Sequence, residues 1–247
     1  MIEETIGWVN NKKIVPHYFS EEIFVNHLIA LRHPNSRKRA YAANLLGKIG
    51  DKRAVDALII SLHDQHWLVR LQASRALGRI GDERAIPTLL DLCQDENPSV
   101  RRRAVEALGN FDESIVIEKL EEALNDPDAG VRIYAIKGLT NLKAHHAARI
   151  IAQGVRDKND QVAWSAANAL GRIGELAVDS LLNLLSDPKR EVRYKAVKVL
   201  GRIASIRAVN GLNAIYKESD EMLRHHINLS LNQIYYWDAI NKKYQKD

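Results

Sequence analysis

A single cysteine, Cys93, stands in 247 residues. The chain can therefore build neither an internal disulfide nor a zinc site that draws on several thiolates. Glycine (13) and proline (6) are too sparse for a collagen-like or linker-like sequence. No apolar run approaches the ~18 residues of a membrane span. The opening MIEETIGWVNNKK carries two acids and no apolar stretch of the signal-peptide kind, so the expected compartment is the cytoplasm. An excess of one charge is also missing. Lys and Arg number 36 against 31 Asp and Glu, which leaves +5, too little to indicate nucleic acid by itself. The motifs G-x-S-x-G, Walker A and G-x-G-x-x-G are absent.

What is present is repetition. The phrase HPNSRKRAYAANLLGKIGD begins at His33, and related phrases begin at Asp64, Asp95, Asp126, Asp157, Asp187 and Glu218, spaced by 31 residues with a single 30. Spacing this regular marks stacked supersecondary units. In the second half of each unit an apolar stripe recurs at i, i+4, i+8 and i+11. Val69, Ala73, Leu77, Ile80 are matched by Val100, Ala104, Leu108, Phe111 and by Val192, Ala196, Leu200, Ile203. The small second column is expected to let neighbouring helices approach. A shorter amphipathic helix precedes each stripe, as in AVDALIISLH from Ala54. Turns with Asp and Pro or Asn separate the two helices, and Gly50-Asp51 or Gly81-Asp82 link one unit to the next. No sustained alternation of period two occurs, so no sheet is expected.

These features predict an all-α chain, an α-solenoid of about seven helical hairpins. Residues 1–19 are expected to form an N-terminal cap and 237–247 a polar tail. The repeats between them fall near 20–50, 51–81, 82–112, 113–143, 144–174, 175–204 and 205–236, with Ser20 as the first N-cap.

The D-x-x-x-x-V-R arrangement at Asp64 to Arg70, Asp95 to Arg101, Asp126 to Arg132 and Asp187 to Arg193, followed by A-x-x-x-L-G-x-I-G, resembles the HEAT repeat. It is similar in particular to the E–Z type, or phycobilisome-lyase, subclass. The resemblance implies a right-handed α-α superhelix, with the second helices lining its concave side. It also implies an Asp–Arg ladder in which Asp64, Asp95, Asp126 and Asp157 pair with arginines of neighbouring repeats. Ala163 replaces the arginine of one repeat, so a break and a bend are expected there.

Few residues look chemical. Cys93 aligns with Leu62 and Leu124 and reads as core filler. The adjacent pairs His145-His146 and His225-His226 point about 100° apart on a helix and do not converge on a metal. His-Glu pairs, which mark the iron enzyme deoxyhypusine hydroxylase among proteins of similar repeats, do not occur. No catalytic or metal residue is expected.

The outward columns of the second helices are more informative. They gather Tyr41, Arg75, Arg79, Arg102, Arg103, Glu106, Tyr134, Lys137, Trp164, Arg172, Tyr194, Lys195, Lys198 and Arg202. With Lys48 these columns hold ten cations and one acid. Cations among aromatic rings suit a planar or extended anion, or else form a merely solvated face. Three functions follow. The first is a scaffold holding an acidic protein segment. The second, implied by the resemblance, is a phycobilin lyase-like or phycobilisome-degradation factor that takes a bilin as ligand and a phycobiliprotein as partner, with a second HEAT subunit. There the cations would grip the propionates, the rings of Trp164, Tyr134 and Tyr194 would shield the pigment, and Glu106 would face pyrrole N–H groups. The third is nucleic-acid binding, which the small net charge disfavours.

Overall fold

The computed structural model describes residues 8–9, 12–13, 21–142 and 147–244. Most of the expected N-terminal cap, the Ser20 cap and the pair His145-His146 lie outside the described residues. Strands β1 (Trp8–Val9) and β2 (Lys12–Lys13) form a two-residue antiparallel ladder. This corrects the expectation of no sheet at one place. The other regular elements among the described residues are helices: α1 (Glu21–Ala30), α2 (Ser36–Ile49), α3 (Val55–Ser61), α4 (Trp67–Ile80), α5 (Ile86–Leu92), α6 (Pro98–Leu108), α7 (Ser114–Ala123), α8 (Ala129–Asn141), α9 (Ala147–Gly154), α10 (Asp160–Ile173), α11 (Val178–Leu184), α12 (Arg190–Ile203), α13 (Val209–Tyr216) and α14 (Glu221–Tyr244). The chain is an all-α solenoid of repeats that divides into two compact units, Met1–Val116 and Ile117–Asp247.

In the first unit the hairpins α1–α2, α3–α4 and α5–α6 stack so that α2 packs on α4 and α4 on α6. The apolar stripe faces inward: Val69, Ala73, Leu77, Val100, Ala104, Leu108 and Phe111 are all buried. A close approach also falls on the glycine column. A Cβ built on Gly78 would stand 2.7 Å from Ala107 Cβ and 2.9 Å from its Cα, so only hydrogen fits between α4 and α6.

In the second unit α8, α10, α12 and α14 stack in the same way, and α9, α11 and α13 pair with the helices that follow them. Val162, Ala166, Leu170, Val192, Ala196 and Leu200 are buried. Helix α14 seats Leu223, Ile227, Ser230 and Ile234 inward. It continues to Tyr244, so most of what reads as a polar tail from residue 237 is helix.

The turns before α4, α6, α8 and α10 are each held twice. The repeated aspartate accepts from the amide two residues on, as from His66 N to Asp64 (2.9 Å) and from Asn97 N to Asp95 (2.8 Å). The residue at that second position then caps the helix: Asn97 accepts from Ser99 N, and Asn159 from Gln161 N. The cap is thus set two residues past the aspartate.

The same aspartates form the expected ladder. Arg39 donates Nε and Nη2 to Asp64 (2.6 and 2.8 Å), Arg70 to Asp95 (2.6 and 2.9 Å) and Arg132 to Asp157 (2.7 and 2.9 Å). Nη1 of each arginine binds carbonyls of its own turn, such as Asp64 and Gln65 for Arg70. The expected break at Ala163 does not occur. Arg156, in the turn after α9, donates Nε to Asp187 at 2.5 Å and carries the ladder on. Farther along, Arg193 keeps its turn carbonyls while Arg190 takes Asp220.

Candidate functional site

The helical period sorts the outward columns by depth. In the two columns nearest the core, Arg102, Arg103, Tyr134, Trp164 and Tyr194 are half-buried and Lys195 is buried, while Tyr41 on α2 is exposed. In the two outer columns Arg75, Arg79, Lys137, Arg172, Lys198 and Arg202 are exposed, and Glu106 is half-buried. The outer columns therefore carry the accessible charge.

In the first unit α4 and α6 frame a cleft of about 310 Å³, lined by Arg75, Gly78, Arg79, Arg103, Glu106, Ala107 and Asn110. The contact of Gly78 with Ala107 closes its floor. Asn110 donates to the Gly78 carbonyl (3.0 Å), which ties the end of α6 to α4. Arg79 donates Nη1 to Asn44 Oδ1 (3.2 Å). Arg103 is ion-paired with Glu106, three residues on. Burial first, and then the charges of Arg75 and Arg103, pull the Arg79 guanidinium below its ordinary value, with Glu106 opposing the shift. Like charges are thus held together here against their repulsion.

The second unit carries rings. Trp164 on α10 and Tyr194 on α12 meet edge to face at 6.2 Å, and Tyr194 meets His226 on α14 at 4.8 Å. The ammonium of Lys198 lies 5.5 Å from both the Trp164 and Tyr194 rings, and Lys137 lies 4.8 Å from its neighbour Tyr134. Burial, then the charges of His225 and Lys198, push the His226 imidazole below its usual value. Arg172 and Arg202 reach back to Asn141 (3.5 Å) and Asn168 (3.1 Å), as Arg79 does to Asn44.

One expectation changes. Lys195 does not offer an open charge: it is 5% exposed, and its ammonium holds Asp160 at 2.9 Å while facing Trp164 at 5.2 Å. Its side chain turns toward Asp160 and Trp164 on α10 instead of joining the rings at the surface. The repeated ladder arginines, moreover, are occupied by carboxylates and turn carbonyls. Sequence reading passed over His226 as a member of the ring row and the asparagines as arginine anchors. An Asn placed 31, 34 or 35 residues before an Arg was the available signal.

Cys93 is buried, with Sγ donating to the Leu89 carbonyl at 3.4 Å, which agrees with core filler. Among the described residues no three His, Cys, Asp or Glu side chains are placed to hold a metal ion, and no helix is long and apolar enough to cross a membrane.

The family model for HEAT repeats matches the chain over residues 25–109, 58–140, 86–163, 117–181 and 148–232. No curated protein sequence matches significantly. Among solved structures, the complex of CpcE and CpcF of phycocyanin lyase from Nostoc sp. is similar at 21% identity and TM-score 0.55, over 85% of this chain and 94% of that one. YibA of E. coli is similar at 17% identity and TM-score 0.54, over 88% and 93%. An engineered protein follows at 20% identity and TM-score 0.52, over 86% and 68%. At these identities the likeness is one of fold.

Proposed function

The chain belongs to the HEAT-repeat family, and from that footing we propose that it is a binding scaffold whose exposed arginine and lysine columns hold an acidic segment of a protein partner. The observation that carries this reading is the crowding of Arg75, Arg79 and Arg103 around one carboxylate, Glu106, which Arg103 already engages. A protein keeps like charges in a cleft at a cost, and an incoming anion relieves it. The arginines are also partly positioned before binding, through Asn44 for Arg79 and Glu106 for Arg103, which lowers the ordering cost of association.

The test uses a fluorescent glutamate-rich peptide and affinity capture from the native extract. The double variant R75E/R79E loses both peptide and captured partner while its helical circular dichroism stays unchanged. Retention of both by that variant refutes the reading.

A separate observation favours a second reading, in which the protein binds a bilin together with a phycobiliprotein. The row Trp164–Tyr194–His226, with Lys198 beside it, offers rings for a conjugated plane and a cation for a propionate. The fold shared with CpcE and CpcF is compatible with it, and lyase-type activity with a second HEAT subunit is its enzymatic form. Added phycocyanobilin then shows a shifted visible absorption and an induced circular dichroism. No spectral change, with or without an apo-phycobiliprotein, eliminates this reading.

A further inference from the structure

We infer that the cleft between α4 and α6 is a phosphoryl-binding site, formed by Arg75, Arg79 and Arg103 with Glu106 as an internal competitor for Arg103. The inference rests on the reading of the outer columns as an anion-binding surface and names the group that this part of it takes.

Charge is the first argument. Three guanidinium groups and one carboxylate line the cleft, a formal excess of two positive charges. Among the described residues neither Arg75 nor Arg79 has a carboxylate partner: the one hydrogen-bond acceptor of Arg79 is the neutral Asn44 amide. A carboxylate ligand brings a single negative charge and leaves an excess. A phosphomonoester brings about −1.5 to −2 at pH 7 and three acceptor oxygens, which matches both the charge and the number of arginines.

Geometry is the second. Arg75 and Arg79 lie four residues apart on one face of α4, and Arg103 reaches the same cleft from α6. Donors thus converge from two helices, the arrangement that planar forked guanidinium groups use for tetrahedral oxyanions. The floor is fixed by the Gly78–Ala107 contact and the bond from Asn110 to the Gly78 carbonyl, so the helices that carry the donors are held in place. Burial and the charges of its two arginine neighbours lower Arg79, a crowding that a bound phosphoryl group offsets.

Glu106 gives the site a distinguishing property. Its carboxylate engages Nη1 of Arg103, so a ligand oxygen that takes this donor displaces it. Neutralising Glu106 therefore tightens phosphoryl binding, whereas truncating any of the three arginines weakens it. A purely structural cluster has no such opposite signs.

Three ligands are titrated into the full chain: a glutamate-rich peptide with a central serine, the same peptide phosphorylated on that serine, and inorganic phosphate. Peptides are followed by fluorescence anisotropy and phosphate by the arginine side-chain NMR signals. The phosphopeptide is expected to bind roughly tenfold more tightly than its serine form, in line with charge-assisted guanidinium–phosphate bonds. Arg75→Ala or Arg79→Ala abolishes that increment, and Glu106→Gln enlarges it about threefold. Equal affinity of the two peptides, with no response of Arg75, Arg79 or Arg103 to phosphate, overturns the inference and leaves the acidic-partner reading standing. Response to phosphate without peptide binding supports a phosphoryl site that serves a small phosphorylated molecule, and it removes the acidic-partner reading. If Glu106→Gln weakens phosphoryl binding, the competitor role is overturned.

Discussion

Arg156 donates to Asp187 at 2.5 Å and fills the place that Ala163 leaves open in the ladder of aspartates and arginines. The carboxylate it meets is nearly sealed, its side chain 3% exposed, so the pairing satisfies a charge that water does not reach. Asp187 in turn orders the turn before α12 by accepting from Lys189 N at 2.9 Å.

Arg156→Ala is accordingly expected to destabilise the fold by about 1–3 kcal/mol, the range for a buried acceptor losing a charged partner. The double variant R156A/A163R regains most of that loss, because an arginine at residue 163 occupies the ladder position used by Arg70 and Arg132. Urea unfolding of the two variants checks both statements. No recovery in the double variant means that the two positions are not interchangeable.

Acid should unfold the protein through the same ladder. Burial pushes the Asp64 and Asp157 carboxyls up, but hydrogen bonds from Arg39 and Arg132 and from the amides of His66 and Asn159 outweigh it and hold both below the ordinary carboxylate value. A carboxyl depressed in the folded state stabilises that state above its unfolded value, about 3.9, and the contribution disappears as pH falls through the lower folded value. Stability is therefore flat above about pH 5 and declines below about pH 4. Asp64→Asn and Asp157→Asn lower stability at pH 7 and flatten the acid limb, read by thermal melts across pH. An unchanged acid limb rejects the assignment.

Ala204 closes α12 in the left-handed region, φ 59° and ψ 33°, where Gly50 and Gly81 close α2 and α4. A methyl group is strained there. Ala204→Gly is expected to raise stability by about 0.5–1 kcal/mol, a rise in melting temperature of about 1–4 °C for a chain of this size. A lower melting temperature would contradict the strain.

The neighbours Lys195 and Lys198 should separate stability from binding. Lys195→Glu puts a carboxylate at a buried position facing Asp160 and costs about 3 kcal/mol of folding stability. Lys198→Glu, on the exposed column, leaves the melting temperature within about 1 °C and weakens binding of an anionic ligand. Melting curves and peptide anisotropy on both variants distinguish the roles, and a reversal of the two patterns defeats the column assignment.

How far the sequence is legible follows from these residues. The stripe Val69, Ala73, Leu77 reads directly because burial repeats with the helical period, and the ladder reads because Asp and Arg recur at fixed offsets. Lys195 does not read, since a long side chain in a half-covered column turns inward when a carboxylate such as Asp160 waits one helix away. Arg156 is hidden for a related reason: it sits in the turn after α9, outside the second-helix column in which the ladder arginines recur. The crowding of Arg79 was visible only as composition until α4 and α6 were brought side by side.

The double grip of Arg70, on its own turn through Nη1 and on Asp95 through Nε and Nη2, bears on how such a chain can change over evolution. Because donor and acceptor recur in phase, duplication or loss of one whole module rejoins the same partners at the seam. An insertion of a few residues inside α4 or α5, between Arg70 and Asp95, takes both out of phase. Length variants of this protein are therefore expected to differ by intact modules, with smaller changes tolerated only in the short connections that leave the phase untouched.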